Sequence, residues 1–475
     1  MKKITALLGL ATVSTLVSVA PSWAATTAAP LPPKADQDLA RDILRELVNT
    51  NTTHDHGSTA AAQMLQKQLL AAGFSAEDVV VIAPSDKPIK GNLVVRYRAK
   101  KAGNKPVLFL GHLDVVEAKR EDWSTDPFQL TEKDGWYYGR GTEDMKDGVA
   151  SLMETLIRLK REHYVPSRDL IIAFTSDEEA GGDANGPAFL LKEHRDLIDA
   201  AVAVNLDGGG GSLKNGERLF YEVGTSEKVY ATFTLETTGP GGHGSLPGPD
   251  NPIYRLSDAL SRLEKYKFPV MTTATTRASF EKFAALQTGA AHDDRLAVAK
   301  ETPDPEAAQR LSQNIKLNAQ LRTTCVATLI SGGHAENALP QRARATIQCR
   351  MMPGDTIENV QTLITNALAE PKISVTLDAP PILSPESPPT KEIMDKATKV
   401  VHSMWPKVPI IPTMASGFSD GRQTRTAGIP TYDLGGLWSD ADDNRAHGRD
   451  ERIGVQAFDE SVEYTYRLVK AFGAK

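Results

Sequence analysis

Apolar residues in DLARDILRELVNT and TAAAQMLQKQLLAAGF return every three or four positions, the spacing of a helix face, and Gly73 stands where the second helix would end. Short apolar runs follow: NLVVRYR, PVLFLGHLDVV, DLIIAFTS and AAVAVNLDGGG. Between them lie the helical stretches MKDGVASLMETLIRLKREH and GPAFLLKEHRDLI. This alternation predicts an α/β sheet, largely parallel, with helices on its faces. From about Val229 the pattern changes. YATFTLETT, the helix NPIYRLSDALSRLEKY, CVATLIS, ARATIQCRMM, the helix TIENVQTLITNALA and ISVTLDA spell β-α-β-β-α-β, the order of a ferredoxin-like module. A polar, helix-prone stretch at about 269–324 interrupts that module. Beyond residue 380 the first pattern resumes with KEIMDKATKVVHSMW, VPIIPTMAS, IPTYDLGG and FDESVEYTYRLVKAF. The smaller module is therefore expected to be inserted into the larger one, and no fixed-period repeat underlies either.

These shifts divide the chain into a first part of the α/β domain at 36–228, an inserted domain at 229–380 and a second α/β part at 381–475. Ahead of them, MKK followed by an apolar middle and a small-x-small site at Ser22 and Ala24 has the layout of an export signal over 1–24. Residues 25–35 read as a flexible leader. Export to the periplasm or the medium is the expectation, with no membrane attachment after cleavage, since no later run is apolar enough to span a bilayer.

A length of 475 residues suits two domains, and 40% hydrophobic with 24% charged residues is ordinary for a globular protein. A net charge of -6 and the lack of any Lys/Arg block argue against nucleic-acid binding. Cys325 and Cys349 flank two β-rich runs around a turn near Asn337, where hairpin pairing would set them opposite each other. An oxidising compartment would permit a disulfide, and two buried thiols fit the sequence equally.

Three apolar runs end in groups able to hold a metal. PVLFLGHLDVV delivers His112 and Asp114, LIIAFTSDEE delivers Glu178 and Glu179, and AVAVNLDGGG delivers Asp207. Parallel strands point their carboxyl ends to one edge, so these side chains should converge. Asp144, in GRGTEDMKDG, precedes a helix, where an acid can simply answer the helix dipole, and His447 lies among loop acids. Imidazoles and carboxylates without thiolates suit zinc, manganese or cobalt. One shared carboxylate can hold two such ions about 3.5–4 Å apart.

GHLDVV, GRGTEDMKDG, TSDEEAGG, GGHGSLP, GGHAENALP, SGFSDGR and AHGRDE, in that order, resemble the M20 metallopeptidases, a family that includes glutamate carboxypeptidase, aminoacylase-1 and succinyl-diaminopimelate desuccinylase. The resemblance runs from about Asp36 to the C-terminus. It implies a zinc-peptidase-like, mostly parallel sheet flanked by helices, with an inserted ferredoxin-like α+β lid. It also implies two divalent metal ions and hydrolysis of an amide bond beside a free carboxylate, in a small peptide or an N-acyl amino acid. By motif, His112 and Asp207 would hold one metal, Glu179 and His447 the other, and Asp144 would bridge. Asp114 would orient the imidazole of His112. Glu178 resembles the general base and acid, and His243 the histidine that steadies the oxyanion. Asn337, Arg350 and Gly417 match the positions that grip the substrate carboxylate. Some members dimerise through the lid and lend the histidine to a neighbouring subunit, so His243 is expected to act in cis or in trans.

Two departures stand out. NLDGGG leaves Asp207 as the only acid at its strand end, and Asp147 replaces a glycine beside the site. Rival readings remain for Gly417-Phe418-Ser419-Asp420-Gly421, which has the form of a serine nucleophile elbow with Asp433 or Asp440 and His447 downstream. A metal-dependent binding protein without catalysis is another. The four glycines from Gly208 to Gly211 are expected to be a flexible turn, since no GK[ST] follows.

Overall fold

The structure is a computed structural model that describes residues 28–474 except 102, 181, 183 and 441. The expected signal, 1–24, lies outside the described residues. The first helix begins at Lys34, just before the expected end of the leader.

The periodic runs form the elements they suggest. Helices span Lys34–Asn49, Thr59–Ala71, Lys146–Arg161, Lys391–Met404 and Val455–Gly473. Gly73, at φ +89°, takes the left-handed conformation that closes the second of these. The stretch GPAFLLKEHRDLI is broken into Gly186–Glu193 and Arg195–Ile198.

The centre of the large sheet is parallel: Leu170–Thr175, Val107–His112, Val202–Asn205 and Thr431–Asp433 lie side by side. Every residue of Val107–His112 and Leu170–Thr175 is buried, as expected of strands covered on both faces. Each large aliphatic side chain hidden there contributes about 1.5–3 kcal/mol relative to exposure. Phe109 packs edge-on against Phe472 of the last helix. Antiparallel strands extend both flanks, Asn92–Tyr97 on one side and Glu217–Glu227 on the other.

The glycine run is not a loose turn. Gly209 (φ +71°) and Gly210 (φ +95°) lead into the strand Gly210–Lys214. A Cβ on Gly211 would stand 1.9 Å from the Trp438 ring. Close packing against the neighbouring strand, invisible in a run of identical residues, sets this conformation.

Lys228 is the single residue between the strand Glu217–Glu227 and the strand Val229–Thr238, where a second sheet starts. That sheet is antiparallel in the order Thr324–Gly332, Arg342–Met351, Val229–Thr238, Ser374–Leu377. Its core is shared with the helices Pro252–Lys265 and Ile357–Leu368. The interrupting stretch folds into four short helices between Ala274 and Leu321 with a core of their own around Phe280, Val298 and Leu311. It leans on the large domain, where the Thr275 hydroxyl meets that of Thr225 at 2.6 Å and Gln320 donates to the Met414 carbonyl. Cys325 and Cys349 are paired in register and joined as a disulfide.

Candidate metal centre

The parallel strands deliver their ends to one edge. His112 is the last residue of its strand, and its neighbour ends at Thr175, three residues before Glu178. His112 Nδ1 lies 3.0 Å from the Asp114 carbonyl oxygen and donates to it, which fixes the tautomer and leaves Nε2 free to face the site. Nε2 is 3.1 Å from Asp144 Oδ1 and 3.6 Å from Asp207 Oδ1. The other oxygen of Asp144 is 3.0 Å from His447 Nε2, which is also 3.0 Å from Glu179 Oε1. Asp144 thus stands between two imidazoles, His112 with Asp207 on one side and His447 with Glu179 on the other.

Glu178 sits against the same cluster. One of its oxygens falls within 4.8 Å of ligand atoms of His112 and Asp207. Its Oε1 is buried without a hydrogen-bond partner.

The backbone around these groups is held by acids that serve as anchors. The Asp114 carboxylate accepts from the amides of Glu178 and Glu179 at 3.1 and 3.0 Å, while Oδ1 stands 3.8 Å from the His112 ring nitrogen. Its orienting contact with His112 therefore runs through its backbone carbonyl. Asp177, at φ +60°, is an L-residue in the left-handed region. Its buried side chain binds Lys90 Nζ, and His54 Nδ1 lies 3.0 Å away. Glu451, fully buried, accepts from the amides of Glu143 and Asp144 and pairs with Arg140. Asp420 accepts from Thr175 Oγ1 at 2.6 Å and from Asn185 Nδ2 at 2.7 Å. Sequence reading missed Lys90, Glu451 and Asp420. The two acids lie within the recognised motifs, but what they bind is far away in the chain.

Charge shifts follow from crowding. Burial and the Asp207 carboxylate push Glu178 well above the usual carboxylate range. Burial, only partly offset by His112, raises Asp207 to about 7. Burial would disfavour the His112 imidazolium, yet Asp207 and Asp144 outweigh it and hold the group well above its ordinary value. Hydrogen bonds to Asp144 and Glu179 raise His447 to about 10. Protons are thus retained on imidazoles and carboxylates that face one another. Replacing them with divalent cations would relieve that crowding, and two imidazoles with three carboxylates are a donor set of the right kind.

His243, Asn337, Arg350 and Gly417 lie outside the two groups of ligand atoms that gather here. His243 lies on an exposed two-residue strand that pairs with Ala338–Leu339, and Ser245 Oγ is 2.7 Å from its Nδ1. Asn337 is beside it, its carbonyl accepting from the Gly244 amide. Arg350 is elsewhere on the small sheet, stacked over Tyr230 at 4.8 Å and near Phe418 at 5.7 Å. Gly417 immediately precedes Phe418. Among the described residues no imidazole stands against Ser419: Asn205 Nδ2 and the Gly421 amide contact its oxygen, and His447 is occupied with Asp144 and Glu179. The serine-nucleophile geometry is absent among the described residues. Asp147 is buried in the first turn of Lys146–Arg161, lining a cavity of about 210 Å³ with Glu143 and Asp207.

Residues 108–471 match the family model for peptidase family M20/M25/M40. The chain belongs to this family. It is therefore a metallopeptidase-type amide hydrolase. Among relatives of known name, it is 29% identical over 381 residues to the human (Homo sapiens) N-fatty-acyl-amino acid synthase/hydrolase PM20D1, covering 77% of this chain and 74% of that one. The M20 family metallo-carboxypeptidase Sso-CP2 from Sulfolobus solfataricus shares the fold with a TM-score of 0.66 at 16% identity, covering 91% of this chain and 99% of that one. The Bacillus subtilis YXEP protein, a dinuclear metal-binding peptidase of the family, aligns with a TM-score of 0.58 at 11% identity over 92% and 98% of the two chains.

Proposed function

We propose that this M20 enzyme is an exported hydrolase that uses two divalent metal ions to cleave an amide bond next to a free carboxylate, as a carboxypeptidase or dipeptidase. The observation that carries the reading is Asp144, with one oxygen on His112 and the other on His447, beside the unpartnered Glu178. When bound between these ligands, zinc, with manganese or cobalt as alternatives, would polarise the scissile carbonyl and acidify a water. Glu178 takes a proton from the attacking water and delivers it to the leaving nitrogen. Asp114 keeps the Glu178 and Glu179 backbone in place for that transfer. His243 steadies the oxyanion, and Asn337, Arg350 and the Gly417 amide hold the substrate carboxylate.

His243 and Asn337 sit on the exposed ribbon of the lid, so the lid must bring them to the metals, either within one chain or from a second copy. A homodimer through the lid is supported by Val326, Leu329 and Ile330, all exposed on the edge strand Thr324–Gly332. An N-acyl-amino-acid deacylase is the second reading, favoured by the similarity to the N-fatty-acyl-amino acid hydrolase. Metal-reconstituted mature protein, screened against paired dipeptides and N-acyl amino acids, tests both. Hydrolysis of neither class would overturn the function.

A further inference from the structure

A second site lies at the joint between the domains. A cavity of about 150 Å³ is lined by Lys228 and Tyr230 on the outgoing crossing, Pro381 and Ser384 on the return, and Phe418 and Arg422 of the SGFSDGR loop. Lys228 is 1% and Arg422 8% exposed. The Arg422 guanidinium lies 3.9 Å from the centre of the Phe418 ring, and Arg350 approaches the same ring at 5.7 Å. Arg422 Nε and Arg350 Nη1 are buried with no hydrogen-bond partner. None of the three cations pairs with a carboxylate among the described residues; Lys228 Nζ donates to the Arg322 carbonyl at 2.7 Å, which leaves its charge unanswered. The acids nearest Arg422 are engaged: Glu227 accepts from Arg425, Ser384 and the Ser419 amide, and Asp420 from Thr175 and Asn185. Burial, reinforced by Arg350, lowers Lys228 to about 7, as expected of a cation lacking its counter-charge.

Buried guanidinium groups with empty donors are costly unless an anion fills them. Three cations exceed what one carboxylate answers. We infer that the cavity receives a second negative charge, the side-chain carboxylate of the amino acid released, so that the enzyme favours substrates ending in glutamate or aspartate. Arg350 and the Gly417 amide would hold the main-chain carboxylate, while Lys228 and Arg422, which line the cavity beside Phe418, would meet the side-chain carboxylate. The volume is small beside the roughly 300–1,000 Å³ of sites for larger ligands, which suits a short acidic arm. This inference rests on the hydrolase reading above and narrows it to a substrate class.

The test compares hydrolysis of matched pairs that differ only in charge: glycyl-glutamate against glycyl-glutamine, and N-lauroyl-glutamate against N-lauroyl-glutamine. The wild type should favour the acid over its amide at least about tenfold in kcat/KM, as a buried charged donor set demands. Arg422→Gln and Lys228→Met should each bring that ratio toward one. Glutarate should compete more strongly than butyrate against the wild type, a measurement that requires no variant. Equal rates for acid and amide, an unchanged ratio in both variants, or equal competition would overturn the inference while leaving hydrolysis of the amide substrates to support the underlying function.

Discussion

Asp114 Oδ1 lies 3.1 Å from the backbone nitrogen of Glu178, so a carboxylate two residues beyond His112 fixes the chain that carries the proposed base. Its second oxygen holds the amide of Glu179. Asp114→Asn keeps the shape but substitutes an NH₂ donor for one acceptor, setting it against a backbone N–H. Metal affinity should fall about 10–100-fold, with a loss of kcat, because the proposed ligand Glu179 and the proposed base Glu178 are displaced together. Isothermal titration of the metal-free protein checks this; unchanged affinity and rate would remove the anchoring role.

Glu178→Gln separates proton transfer from metal holding. With Oε1 buried and unpartnered, the amide fits the same space but cannot accept a proton. The rate should drop about 10²–10⁴-fold while two metals per chain remain bound. Elemental analysis beside single-turnover rates reads both. A variant that loses metal along with activity would assign Glu178 to the ligands instead.

Much of this arrangement can be read from the chain because of how parallel sheets work. His112, Glu178, Glu179 and Asp207 each follow a short apolar run, and topology carries strand ends to a common edge whatever their sequence separation. Anchoring contacts offer no such rule. Nothing local to Glu451 says that it binds the amides of Glu143 and Asp144, and nothing local to Lys90 says that it binds Asp177. The strand Glu217–Glu227 is hard to foresee because its first half, ERLF, is largely exposed and its period is weak. Gly208 to Gly211 show the same limit: glycine announces freedom, while the Trp438 ring that removes it arrives from more than two hundred residues away.

Metal removal distinguishes the centre from the elbow at Ser419. Chelation followed by desalting should abolish hydrolysis, and zinc, manganese or cobalt should restore it. A serine-reactive phosphonate should leave the rate untouched, since no imidazole among the described residues hydrogen-bonds the Ser419 hydroxyl. Inactivation by the phosphonate with resistance to chelation would reverse the assignment.

Cys325 and Cys349 close a loop of sequence separation 24 across neighbouring strands of the small sheet. Constraining the unfolded chain by a loop of that size is worth roughly 3 kcal/mol. Replacing both cysteines with serine should therefore lower the stability of the lid by about that amount, read by denaturant unfolding. Equal unfolding midpoints would show that the cross-link adds nothing to stability.

Glu154 supplies a pH signature away from the active site. It lies on the inward face of Lys146–Arg161, fully buried, and neither carboxylate oxygen has a hydrogen-bond partner. Burial, with the nearby Asp36 carboxylate, raises its pKa to about 8. The folded state therefore keeps a proton that the unfolded chain gives up near its ordinary value of about 4.3. Below that value both states are protonated and folding carries no penalty. As pH rises toward 8 the unfolded state alone ionises, so stability falls; above 8 both are ionised and the loss levels off. Glu154→Gln removes this slope. It should stabilise the protein at pH 8 relative to wild type by about 4 kcal/mol, and much less at pH 4.5. Urea unfolding of wild type and variant at the two pH values reads the difference, and a gain independent of pH would mean that Glu154 does not hold its proton in the fold.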